Sequence, residues 1–142
     1  MARKRNYHGI QFNQSPTIVE KAGVAIDDVR NLIMKYDGNG NVVPATAGTD
    51  IPVGVAIIEA GYNDITGQNA GKVVVGDNVD ILIKDRGVVL AGAAIKKGQE
   101  VAAGANGLAA VAASGNYVLG IALDNAAEGE YLEVQIAKYQ KS

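Results

Sequence analysis

The sequence predicts an all-β fold made of two similar β units that follow an extended N-terminal arm. Three observations lead there. Apolar runs of four to six residues bounded by Gly, Asn, Asp or Pro dominate, and helical periodicity is scarce. Tight-turn chemistry separates them: Asp37-Gly38-Asn39-Gly40-Asn41 and Ala105-Asn106-Gly107 supply the positive-φ positions that short hairpins need. Finally, an ordered set of motifs recurs once along the chain.

In chain order, residues 1–16 form a basic arm and residues 17–142 a single β domain. The expected strands of the first unit are Thr17–Val19, Leu32–Tyr36, Val42–Pro44, Val53–Ile58, Lys72–Val75 and Val79–Ile83; those of the second are Val88–Leu90, Glu100–Ala103, Ala109–Ala112, Val118–Leu123 and Tyr131–Ala137. The last alternates, with Leu132, Val134 and Ile136 on one side and Glu133, Gln135 and the neighbourhood of Lys138 towards solvent, the mark of a half-buried antiparallel strand. One segment also fits a second reading, because Val29, Leu32, Ile33 and Tyr36 follow Asp27-Asp28 at the spacing of a capped helix. Strand is preferred there, since the repeat aligns Leu32–Tyr36 with the short run at Glu100–Ala103.

The repeat relates about residues 22–84 to 91–138. Ala22-Gly23-Val24-Ala25-Ile26 matches Ala91-Gly92-Ala93-Ala94-Ile95, and Gly40–Ala45 is echoed by Gly107–Ala112. Val53–Ile57 then matches Leu119–Leu123, and Gly76–Ile83 matches Gly129–Ile136, with offsets falling from 69 to 53 as loops shorten. Glycine inside a strand costs roughly 0.5–1 kcal/mol relative to alanine, so the matched Gly54 and Gly120 point to close backbone approach or a bulge. Gly76-Asp77 and Gly129-Glu130 read as turn corners feeding a strand, and the polar stretch from Glu59 to Gly71 as a surface excursion.

Composition narrows the chemistry. The chain has 142 residues with 48% hydrophobic and 20% charged, long enough to bury its own core. Zero cysteine excludes disulfides, thiolate nucleophiles and Cys-ligated metals, and the one histidine, His8, excludes a multi-His site and reads as a solvated side chain. No apolar run approaches membrane-spanning length and the start lacks an apolar signal region, so a soluble protein without membrane partner is expected. Gly38-x-Gly40 and Gly104-x-x-Gly107 lack the helix and Lys-Ser/Thr of a phosphate cradle. The acid pairs Asp27-Asp28, Asp77 with Asp80 and Glu130 with Glu133 read as turn and solvent-face residues rather than catalysts or calcium ligands. Ile95-Lys96-Lys97-Gly98-Gln99-Glu100-Val101 resembles the turn of biotinyl and lipoyl carriers and Met34-Lys35 offers a Met-Lys pair, but Lys35 lies inside an apolar run, not at a hairpin tip. No enzyme, cofactor or metal is therefore expected.

Charge is unevenly placed. Arg3, Lys4 and Arg5 precede the first acid, Glu20, and without them 10 basic residues face 15 acidic ones. Three cations without a stacking platform make a weak case for direct nucleic-acid binding; an arm that orders on a protein partner fits better.

Leu32–Ala45, Ile51–Ala56, Val89–Gly98, Tyr117–Leu123 and Gly129–Val134, in that order, resemble the small capsid cement or head decoration proteins of tailed bacteriophages. That resemblance spans about residues 22–137. It implies a compact antiparallel β-barrel or jelly-roll-like sandwich in the virion, on the outer capsid surface after assembly in the host cytoplasm. The implied partners are the phage major capsid protein and further copies of the chain, as a trimer by preference or a dimer. Arg3, Lys4, Arg5, Tyr7 and Phe12 are then the expected capsid-docking residues. The alternative is a tail or fibre β module that binds a host surface. The 40 alanines and glycines, against seven aromatics, imply a thin, closely packed body that draws part of its stability from neighbouring subunits.

Overall fold

A computed structural model describes residues 15–57, 60–62 and 65–142. Among these residues there are ten strands and no α-helix. The first unit contains β1 (Thr17–Lys21), β2 (Ile33–Tyr36), β3 (Val42–Pro44), β4 (Gly54–Ala56) and β5 (Asn78–Leu82). The second contains β6 (Arg86–Leu90), β7 (Glu100–Ala103), β8 (Ala109–Val111), β9 (Tyr117–Ala122) and β10 (Tyr131–Gln140). Each set forms one five-stranded sheet, ordered β1-β5-β4-β2-β3 and β6-β10-β9-β7-β8, with every strand pair antiparallel.

The two sheets therefore repeat one topology, down to isolated contacts. Ala22 makes a parallel bridge to Val42 and Ala91 makes one to Ala109, while Ile26 pairs with Val73 and Ile95 with Ala126. The corner before each final strand is stapled in the same way. The Asp77 carboxylate accepts from Val74 N–H at 2.9 Å, and that of Glu130 accepts from Ala127 N–H at 3.0 Å. Gly54 and Gly120 also match. A Cβ on either would lie 2.0 Å from a carbonyl oxygen of the adjacent strand, that of Leu82 or Gln135.

Burial explains the helix-like spacing at Val29–Tyr36. Val29, Leu32 and Met34 enter one core with Val42, Val53, Val73, Val79 and Ile81, whereas Ile33 enters another with Val55, Val101, Leu119, Leu132 and Val134. A strand buried on both faces reads as a continuous apolar run, and Asn31 at φ 65° breaks any helix before it begins. The second core thus joins the sheets, since Ile33, Ala45 and Val55 of the first unit lie within it. Leu108 packs in turn against the first unit's core.

Three expectations need correction. Lys72–Val75 is not a strand; only the Val73 bridge survives, because the Asp77 corner takes up the chain at Val74. β10 runs on to Gln140, past the expected end, since Tyr139 and Gln140 pair with Val118 and Tyr117 beyond an irregularity in register. Of the alanines expected to fill the body, Ala93, Ala94 and Ala113 are exposed on turns, whereas Ala91, Ala102, Ala103, Ala109 and Ala112 are buried.

Candidate interaction surfaces

The expected docking residues Arg3, Lys4, Arg5, Tyr7 and Phe12 lie outside the described residues. Among the described residues no group of three or more His, Cys, Asp or Glu side chains is placed to hold a metal ion. Four of the carboxylates singled out in the sequence, Asp28, Asp77, Glu130 and Glu133, are committed to local structure. Asp28 receives two hydrogen bonds of 2.8 Å from the Arg30 guanidinium, which holds its carboxyl below the usual range against a smaller effect of burial. Glu133 pairs with Arg86 at 3.3 Å across β10 and β6. Lys96 and Lys97 sit on a turn held through their backbone N–H groups, which donate to Gln99 Oε1 and Asn125 Oδ1.

Lys35, on β2, is ion-paired with Asp50 at 3.0 Å. Burial works against the charged form of Asp50, but four donors outweigh it: the Thr46 N–H at 2.8 Å, the Lys35 ammonium, the Thr46 hydroxyl at 2.8 Å and the Ala47 N–H at 3.2 Å. Together they lower the carboxyl to about 2. A carboxyl depressed in the folded state stabilises the protein above its unfolded pKa and loses that contribution as pH falls through the folded one. Asp50→Asn is therefore expected to cost about 2 kcal/mol near neutral pH. The difference from the parent should close as the pH falls from about 4 to about 2, which urea unfolding at several pH values would show.

This ion pair forms one wall of a groove of about 670 Å³. Ile18, Tyr36, Ile51, Pro52 and Ile83 supply its apolar surface, and Ile51 is 64% exposed. Lys138 lies at its edge. Lys138 is exposed, as expected of this part of β10, but where the strand's register shifts between Ile136 and Tyr139 its ammonium reaches across to donate to Val53 O at 2.7 Å. Desolvation lowers its pKa, although much of the stem remains exposed. Local alternation along β10 does not mark this contact, because it depends on the register shift and on Val53, 85 positions away in sequence.

A second cavity, of about 600 Å³, lies where the two units meet and is lined by Val55, Leu82, Gly87, Val88 and Tyr131 with Arg30 and Arg86. Asn31 closes this junction, since its side-chain amide donates to Val88 O at 2.9 Å and its carbonyl accepts from Leu90 N–H at 3.1 Å.

The two units differ most in one connection. Ala56 and Val73 are 17 positions apart, whereas the equivalent Ala122 and Ala126 are four apart, so the first unit carries 13 extra residues there. The base of this excursion is tied by backbone bonds from Tyr62 N–H to Lys72 O at 2.8 Å and from Gly71 N–H to Tyr62 O at 2.7 Å. Beyond the base Ile65 is fully exposed, and Tyr62, Val74 and Val75 are each more than half exposed. Exposed apolar side chains gathered on one excursion make it a candidate contact surface.

Known proteins place these surfaces in context. The family described as XM1 gp53 minor capsid protein matches residues 5–136. No curated protein matches the chain. Among solved structures, the head fiber gp8.5 N base of bacteriophage phi29 shares the fold, with a TM-score of 0.61 at 22% identity over 89% of this chain and 97% of that one.

Proposed function

Since the chain belongs to the XM1 gp53 minor capsid protein family, a family of phage structural proteins, we propose that it is a capsid cement or decoration protein on the outer surface of the phage head. The family match over residues 5–136 carries this reading. In it the major capsid protein is the partner, and the protein acts by binding energy alone, without catalysis or cofactor. A β body with two shared cores is a rigid clamp, and the exposed excursion around Tyr62 and Ile65 offers apolar contact. The basic arm, with Arg3, Lys4, Arg5, Tyr7 and Phe12, gains further contacts on docking. Assembly as a homo-oligomer, preferentially a trimer at three-fold or quasi-three-fold positions, multiplies weak sites by avidity.

Co-sedimentation with expanded heads that lack the protein tests this. The parent chain is expected to bind saturably. Deletion of residues 2–12, or the double change Tyr62→Ser and Ile65→Ser, should each weaken binding at least tenfold; the double change should leave folding stability within about 0.5 kcal/mol, as expected for surface positions. Unchanged binding by both variants would remove these surfaces from the account.

A second reading follows from the fold shared with the phi29 head fiber N base: a base that seats a fibre on the head. Imaging of labelled particles separates the two, because a fibre base occupies one end of a projecting fibre and a cement protein lies flat on the shell.

A further inference from the structure

We propose that the corner formed by Val24, Val74 and Val75 is the contact through which copies of this chain associate about a common symmetry axis. The internal repeat sets this corner apart. In the first unit Ala22 N–H donates to Asp77 O at 2.8 Å, Gly76 N–H donates to Ala22 O at 2.8 Å, and the Asp77 carboxylate accepts from Val74 N–H at 2.9 Å. Val24 lies between Ala22 and Ile26, whose N–H donates to Val73 O at 2.9 Å. In the second unit Ala91 N–H donates to Glu130 O at 2.9 Å, Gly129 N–H to Ala91 O at 2.8 Å and Ala127 N–H to the Glu130 carboxylate at 3.0 Å. Gly76 and Gly129 turn the two corners at φ 91° and 86°. One backbone frame therefore carries two sets of exposed side chains, Val24, Val74 and Val75 in the first unit where the second has Ala93, Ala127 and Glu128. The frame closes equally well on alanine and glutamate, so folding does not require the valines. Three branched apolar side chains held at one exposed corner are a contact surface.

Charge selects a second copy as the occupant. Around a symmetry axis a residue meets its own copies, so a charged side chain there repels itself and an uncharged one does not. Val75 meets that condition, whereas its counterpart Glu128 would bring like carboxylates together. The rim carries both signs. The antiparallel Ile26–Val73 bridge sets the exposed Asp27 opposite the exposed Lys72, and neither is ion-paired with another described residue. Rotation about the axis can then bring Lys72 of one copy to Asp27 of the next. The base of the excursion adjoins this corner, since Tyr62 N–H donates to Lys72 O at 2.8 Å. Association here gathers the excursions of all copies around one axis, where their contacts with a partner add by avidity. The inference rests on the homo-oligomer part of the reading above and names its interface.

Native mass spectrometry and sedimentation of the free full-length chain, without capsids, test it. The parent is expected to form one closed oligomer. The triple change Val24→Ala, Val74→Ala and Val75→Glu installs the second unit's residues on the first unit's frame. It should raise the dissociation constant of the oligomer by about a hundredfold, while the far-UV CD spectrum and cooperative unfolding stay as in the parent. The chain has no native cysteine, so Val75→Cys is expected to cross-link copies under mild oxidation, and Glu128→Cys, at the equivalent corner, is expected not to. An oligomer that survives the triple change, or equal cross-linking of the two cysteine variants, would put the interface elsewhere and overturn the proposal while the oligomer stands. A parent that stays monomeric would overturn both; if the triple variant then also lost binding to heads, the corner would belong to the capsid contact. Assembly is read without heads, so failure here and failure of the capsid reading are separately visible.

Discussion

Gly120→Ala is expected to destabilise the protein by about 3 kcal/mol, a large effect for the addition of one methyl group. The added Cβ would lie 2.0 Å from the Gln135 carbonyl oxygen and 2.8 Å from Val134 Cγ1. Neither neighbour can give way cheaply: the oxygen belongs to the backbone of β10, and Val134 is fully buried in the core that joins the sheets. Gly54→Ala should behave alike, because its Cβ would meet Leu82 O at 2.0 Å. Gly38→Ala is the control, with nothing within 4 Å of its Cβ and no positive φ, and should stay within about 0.5 kcal/mol of the parent. Urea midpoints at constant slope would measure all three. A neutral Gly120→Ala would mean that the strands do not approach as closely as described.

The second large effect is expected from Ile33→Ala, at about 3 kcal/mol. Ile33 belongs to β2 of the first unit, yet its side chain is fully buried among Val101, Leu119 and Leu132 of the second. The cavity it leaves should therefore weaken both units in one transition. Hydrogen exchange would show protection falling in β9 and β10 together with β2. Loss confined to β2, or two separate unfolding transitions, would show that the sheets fold independently and that the joint core does not couple them.

Much of this architecture is legible in the sequence, for reasons that particular residues make plain. Turn residues mark the strand ends, so Val42–Pro44 and Glu100–Ala103 match their expected bounds. The motif pairs at Ala22 and Ala91, and at Gly54 and Gly120, occupy equivalent places because each makes the same backbone contact in its own sheet. What escapes local reading is whatever depends on the other unit. Ile33 and Val55 differ from their counterparts Glu100 and Ile121 because only the first unit's outer face is covered by the second. That asymmetry is tertiary and leaves no signature within either segment. The candidate surfaces divide similarly. The basic arm announces itself by charge, whereas the groove beside Lys138 brings together β1, β2 and β10, positions more than 100 residues apart. The exposed excursion was visible as a polar, Gly-rich stretch, but its apolar side chains at Tyr62 and Ile65 gain meaning only once their exposure is known.

The central claim is a structural role on the outside of the phage head. Cryo-EM of otherwise identical virions assembled with and without the chain tests it most directly. The account predicts additional β-rich density on the outer face of the head, repeated at local symmetry positions and seen only in particles that contain the chain. Density confined to the tail or to the inside of the shell, or heads that look the same in both preparations, would contradict it.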